Sequence, residues 1–561
     1  MSASGKAGAC PYPRENSTEN GTYAIVPRSY SALWRSEHLT ATALPLVLLS
    51  GIASAQGTVV LRVDKDQTTN PADGLFWSSA YPTLTAALAE ARTRFTNGTP
   101  GDEVGQIWVA EGVYKPTSST TDRTATFELV PGARVYGGFL GLPNGESTLG
   151  ARAGSFTQTI LSGDIDGDPR NQLLDSLHVV TVDNEAGGFR LDGFQVMLGA
   201  AVPNPSTGSP STDNYGGGLL VDGVGGSTEV VVTNVTFQAC LAGIGGGAYA
   251  QEADLSISRS SFSACIAYLS PPSGMAVPGG TAGALMVNAC NPTYIYHTTF
   301  ANNRASYGGA VGLISGSTQA RIVNCLLTNN TAFAGGALLV SNTTAPVVVD
   351  FSTFSANLAL APGDGQTASF LGGGAIHIRQ ATDSLEVRSS IVWGNTDQNQ
   401  VAAGSNTIAG AGAIPAASAG LDGVIVTYSD FDIGAVTPNW FASIPGVSAS
   451  GSNITVDPVF VNAGLGNYRL KLNSPCIDAA DDVVFDTAAV PAGSGASAWN
   501  GGLGDIVDVD EDGLTAEFLP WDLDFLAREL DRVLTVNTGR DYAATPRIGD
   551  MGCYEFQNSD G

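Results

Sequence analysis

The sequence predicts an all-β fold: a right-handed parallel β-helix, a solenoid of short strands, with a small N-terminal helix cap and an irregular C-terminal cap. Three observations predict it: a recurring Asn/Gly motif, a strand-like alternation after each copy, and the lack of helical periodicity through the repeats. Residues 327–340, "LTNNTAFAGGALLV", contain the motif whole. An apolar residue leads to Asn-Asn, a short polar hop, Gly-Gly-Ala and an apolar run.

The motif recurs as Phe237…Cys240, Phe262…Cys265, Phe300…Asn303, Leu327…Asn330, Phe354…Asn357 and Val392…Asn395. Successive copies start 25, 38, 27, 27 and 38 residues apart. All but the last precede a small-residue tripeptide: Gly246-Gly247-Ala248, Ala282-Gly283-Ala284, Gly308-Gly309-Ala310, Gly335-Gly336-Ala337 and Gly373-Gly374-Ala375. Runs such as "ALLV" and "AIHI" then alternate with the period of a strand. A repeat of about 25 residues with several strands and no helix suits one turn of a β-helix. Coils stack at about 4.8 Å, so equivalent residues form ladders. Phe, Leu and Val should stack inward, and Asn should stack at a corner and bond the neighbouring coil's backbone. The glycines supply positive φ and close approach between coils.

The elements follow in order. Residues 1–56 read as a signal peptide and preceding segment, with an apolar core from Leu44 to Ile52 and a small-residue site at Ala53-Ser54-Ala55. Residues 57–125 hold a strand, "VVLRVD", and a helix, "TLTAALAEARTRF", with Thr83 as N-cap and Leu84, Leu88 and Ala91 on one face. An open solenoid end invites edge pairing, so this helix is expected to cover it. Residues 126–435 are read as the coils and 436–561, where the repeat breaks, as a C-terminal cap. No apolar run after the leader is long enough to span a bilayer. The mature chain is expected outside the cell or at its surface.

The formal net charge is −27, from 52 acidic and 25 basic residues. Such a surface repels phosphate backbones, which argues against nucleic acid as a partner and favours divalent cations. Six cysteines follow the leader, with no CxxC pair and no Cys/His cluster, so a zinc site is not expected. Cys240 and Cys265 hold one repeat position in consecutive coils, at a spacing within disulfide range. Buried thiols are the alternative there. Cys476 with Cys553 is a further candidate pair.

Taken together, the "GGA…FxxN" repeats resemble those of bacterial secreted right-handed parallel β-helix proteins with polymorphic-outer-membrane-protein-like repeats. "IWVAEGVYKP", "ARVYGGFLG" and "LSGDIDGD" look like that group's N-terminal section. "VDPVFVNAGLGNYRLKLNSPCIDAA" and "GDMGCYEFQ" are similar to its choice-of-anchor type C-terminal domain, although Cys553 stands where a small Ala is usual. The resemblance spans roughly residues 58–558 and implies fold and export, not an activity.

Candidate sites come from interruptions of the repeat. Insertions near 266–281 and 358–371 leave the same corner of the coil, and 198–214 leaves a corresponding place. The first two lie three coil steps apart, about 14 Å. Between them sit two short turns, which describe a trough floored by Arg304, Tyr307, Thr331 and Phe333. Its aromatic rings could stack on sugars; the alternative is insertions lying flat over them. "DVDEDG" places Asp508, Asp510 and Asp512 like the first half of a calcium loop, though Leu519 occupies the twelfth position. "GDIDGD" offers Asp164, Asp166 and Asp168 in the same pattern. Structural calcium is the expected ion, with solvated turns as the alternative.

β-helices also host pectate lyase-like enzymes, so catalysis must be weighed, although fold alone proves nothing. "NTD" at 395–397 resembles a polygalacturonase motif, but its His and Arg-Lys partner motifs are absent. The histidines after the leader are His178, His297 and His377. Alternation in "AIHIR" places His377 and Arg379 together on the outer face, the weak candidates for a base and a charge neutraliser. Two functions stay open. One is adhesive binding of a polysaccharide or a cell-surface or matrix ligand; the other is a polysaccharide lyase or glycoside hydrolase working in a groove.

Overall fold

The computed structural model describes residues 58–480, except 69–70, 143, 203–210, 268–279, 316–319, 344–346, 362–371, 381–382, 400–406, 411–423, 433–446 and 450–452, together with 522–524 and 550–555. The leader lies outside them. The chain is a parallel β-helix, in which the strands of a coil pair in parallel with their counterparts in the next, while Phe460–Asn462 and Asn467–Leu470 pair antiparallel with each other. The coil holding the opening motif shows the pattern. It runs Val311–Ile314, Ala320–Val323, Leu326–Thr328 and Thr331–Ala332, and the next coil begins at Leu338–Ser341. Registers are unbroken, with Val311 beside Leu338, Ala320 beside Val347, Leu326 beside Thr353 and Thr331 beside Leu358.

Left-handed residues make the bends. Arg259, His297, Asn324, Phe351 and Ser389 all carry φ between 44° and 52° at one corner. Ala264, Asn302, Asn329 and Ala356 do so, at 54–59°, one residue before the Asn corner. Non-glycine residues rarely adopt this region, so the corner needs compensation. Buried side-chain ladders supply it. Asn330 Oδ1 accepts from the backbone N–H of Asn303 at 3.0 Å, and its Nδ2 donates to Phe300 O at 2.9 Å. Asn357 and Asn395 repeat both bonds one and two coils on. At the preceding bend, Ser352, Ser390 and Ser429 form a second ladder, each hydroxyl accepting the N–H of the coil before.

The paired glycines have separate jobs. Gly335 has φ +64°, and Ala282 holds the equivalent place at +57°. Gly336 has no room for a side chain, because a Cβ there would lie 2.1 Å from Gly374 O. The same crowding recurs at Gly246, Gly283 and Gly309. Inside, Phe237, Phe262 and Phe300 stack with ring centroids 4.5 and 5.1 Å apart. Leu338 and Val340 enter the same core.

The helix forms at Leu84–Asn97, with Thr83 accepting from the Ala86 N–H and Gly98 closing it in the left-handed region. Its buried Leu84, Ala87, Leu88 and Ala91 join the core of the coils, so it covers the first turn. Arg92 fastens it by bonding Glu185 and Glu128. At the other end the ladder continues past 435, to Val447–Ala449. The described parts of the C-terminal region lie against the flank of the coils. Phe460, Tyr468, Cys476, Met551 and Cys553 pack with Leu326 and Ile391, and Tyr468 shares a 2.6 Å hydrogen bond with Thr328.

Candidate functional site

The corner after the Asn ladder is built to be variable. Its inward row is Ala201, Ala242, Ala267, Ala305, Ala332 and Ala359, all buried. The outward row runs Ala200, Leu241, Ile266, Arg304, Thr331, Leu358 and Thr396. Just past this row the chain either turns at once, as at Ser306 and Phe333, or departs into an insertion. The insertions themselves, 268–279 and 362–371, lie outside the described residues, so the walls of the expected trough do too. Its floor is described. Arg304 is exposed, and Tyr307, Thr331 and Phe333 are half-buried. Arg304 bridges Thr331, Tyr307 bridges Ala334, and so two adjacent coils bring the four together. Ile266, 40 % exposed, sits beside Arg304 and adds an apolar contact to this face.

His377 corrects the sequence reading. It does alternate outward, with Ile376 and Ile378 in the core, but it is buried while Arg379 is exposed. The strand's alternation sets direction only. Here the ring lies on the outward side in register with Leu339, close to the Gly372 and Gly335 turns. Burial lowers its pKa to about 4, so it is neutral near pH 7. The two residues therefore do not form an exposed pair. "NTD" is architectural: Asn395 continues the ladder, and buried Asp397 accepts from the Asn399 N–H of its own turn.

The "GDIDGD" carboxylates divide. Asp164 and Asp166 come together, while Asp168 is exposed and accepts from the Arg170 N–H. The third member of the cluster is Asp175, which the sequence reading missed. It lies seven residues past Asp168, and only loop closure reveals it. Asp508, Asp510 and Asp512 lie outside the described residues.

Cys240, Cys265 and Cys325 are corner residues of the coils. Cys240, Cys265, Cys290, Cys325 and Cys476 are free and buried, so of the two readings open for Cys240 and Cys265 the buried thiols hold, and the candidate Cys476–Cys553 bond is not formed. Cys265 donates to Phe237 O at 3.7 Å and Cys240 to Val196 O at 3.8 Å, the same backbone acceptors that Asn serves in later coils. Cys325 stands in the serine ladder. Cys476 donates to Asp430 Oδ2 at 3.3 Å. Burial pushes the Cys265 thiol up and that of Cys290 up to about 12, which keeps both protonated.

No protein-family model matches the chain, and no curated protein matches it. Among solved structures, it is similar to the pectate lyase Pel9A, at 14% identity over 78% of this chain and 94% of that one, with a TM-score of 0.35. It is also similar to Escherichia coli YbhC, at 12% identity over 76% and 89%, with a TM-score of 0.29. Superpositions this loose add nothing to the strand ladders, which establish the fold by themselves. No helix among the described residues is long and apolar enough to cross a membrane.

Proposed function

We propose that this β-helix is an exported or surface-exposed protein that binds an extended glycan or matrix ligand at its variable corner, without chemistry. The observation that carries the reading is the row of Arg304, Tyr307, Thr331 and Phe333 on two adjacent short turns. Aromatic rings stack on sugar faces, and a guanidinium donates to hydroxyls. Repetition at the strand spacing of about 4.8 Å gives such a face a linear reach. The net charge of −27 repels polyuronates, so a neutral chain is the favoured ligand. The resemblance of the repeats to secreted β-helix proteins supports export.

A polysaccharide lyase or hydrolase is the second reading. The buried, neutral His377 weakens it, because a general base must reach its proton. Affinity electrophoresis of the full chain through gels containing neutral or acidic polysaccharides tests the choice. Retardation by a neutral polymer, lost in Arg304→Ala and Phe333→Ala with an unchanged melting temperature, is the expected result. Retardation by none, or release of reducing or unsaturated ends, would overturn it.

A further inference from the structure

We propose that Asp164, Asp166 and Asp175 form a Ca²⁺ site that fastens the segment 163–176 to the coils. One carboxylate oxygen from each lies within 4.8 Å of the other two. Three oxygens this close surround a point no more than about 2.8 Å from any of them, so a small inward shift brings all three to the roughly 2.3–2.6 Å of a Ca²⁺–oxygen bond. The donors are carboxylates alone, which suits a hard cation.

Chain closure brings them together. Ser176 donates its N–H to Gly163 O at 2.9 Å, and Ala200 donates to Ser176 O at 2.8 Å. The two ends of the loop are thereby tied beside each other, so Asp164 and Asp175 flank the tie. Gly163 permits the approach, since a Cβ there would lie 2.5 Å from Leu198 O. Within the loop, Asp164 Oδ1 accepts from Gly167 and Asp166 Oδ1 from Asp168. Each keeps its other oxygen for an ion.

Asp175 sets this cluster apart from an acidic turn. It is 0 % exposed, and neither carboxylate oxygen has a hydrogen-bond partner among the described residues. An unpartnered buried carboxylate is costly to ionise. Burial first, and then the neighbouring Asp164 and Asp166, raise its pKa to about 7. Two cations are near, and neither answers the need. Lys115 Nζ stands 3.8 Å from Asp164 Oδ1, and Arg123 Nε donates to the main-chain oxygen of Asp175. A divalent ion would partner both orphaned oxygens and remove the mutual repulsion. It would also stiffen a loop already joined to the coil two steps on through Gln172 Nε2 and Ala239 O.

The test is calorimetric titration of CaCl₂ into the EDTA-stripped full chain at pH 7, with melting curves in EDTA and in Ca²⁺. Asp166→Asn and Asp175→Asn should each lose one equivalent of bound Ca²⁺, and Asp168→Asn none. In EDTA, Asp175→Asn should melt no lower than the wild type, yet lose the Ca²⁺-dependent rise. Unchanged stoichiometry in Asp175→Asn, or an equal loss in Asp168→Asn, would overturn the site. Should Asp175→Asn fail to fold, the count for Asp166→Asn decides.

Discussion

Replacing Asn330 with alanine removes four hydrogen bonds from a fully buried corner. Oδ1 loses the backbone N–H and the Nδ2 of Asn303, both at 3.0 Å. Nδ2 loses Phe300 O at 2.9 Å and Asn357 Oδ1 at 3.0 Å. At about 1 kcal/mol net for each bond the loss is about 4 kcal/mol, and orphaned buried backbone groups push it upward. Asn330→Cys should keep one of the four bonds and lose about 3 kcal/mol. The thiols of Cys240 and Cys265 already stand at this position and donate to the equivalent carbonyls, so cysteine keeps the donor and loses the acceptor. Urea unfolding followed by far-UV circular dichroism measures both, and hydrogen exchange shows whether the opening is confined to neighbouring coils, as nearest-neighbour stacking requires. A cost for Asn330→Ala below about 1 kcal/mol would mean that the ladder follows the bend instead of holding it. Equal costs for Ala and Cys would sink the equivalence of the two residues.

Three further outcomes follow from the same geometry. Gly336→Ala drives a Cβ to within 2.1 Å of Gly374 O and Gly335→Ala drives one to within 2.3 Å of Leu338 O, but Ala282 shows that the Gly335 place can adjust to a methyl, so Gly336→Ala should destabilise more; comparative thermal melts decide. His377 has a folded pKa of about 4 against an ordinary value near 6.5, so its contribution is present above pH 6.5 and lost as pH falls towards 4. The loss is roughly 3 kcal/mol, and His377→Met should flatten the urea midpoint across that window. Thr83→Ala removes the N-cap bond to the Ala86 N–H and should cost about 1 kcal/mol, seen as earlier hydrogen exchange in the helix over the first turn.

What the sequence reveals here is what repeats. Asn303, Asn330, Asn357 and Asn395 could be aligned by eye because stacking requires identical geometry in each coil, and the structure stacks them. The helix start at Thr83 was equally readable, since capping is local. Properties set by several segments at once were not. Alternation shows that His377 leaves the core, but its cover depends on a turn contributed from elsewhere. The cysteines shared a register, which fits a disulfide and a backbone-bonding thiol equally well. The C-terminal region breaks the repeat, which suggested an end cap; its flank contacts at Thr328, Thr353 and Ser389 follow from tertiary packing alone.

The same division explains why the functional residues cluster where they do. Asn and Ser ladders hold each coil to the next from the inside, and Gly336 and its counterparts hold the spacing. The registers on both sides of the insertion at 362–371 are unbroken. At that corner the side chains of Arg304 and Phe333 stay near the surface while their backbones keep the pairing. Asp175 reverses this logic. It is buried inside a loop that the ladders do not need, with both oxygens lacking a partner among the described residues. A stacked coil offers no gain from such a carboxylate, which is the ground for the proposed ion. That is why the loop at 163–176, and not another motif of the repeat, is the place to look for an ion.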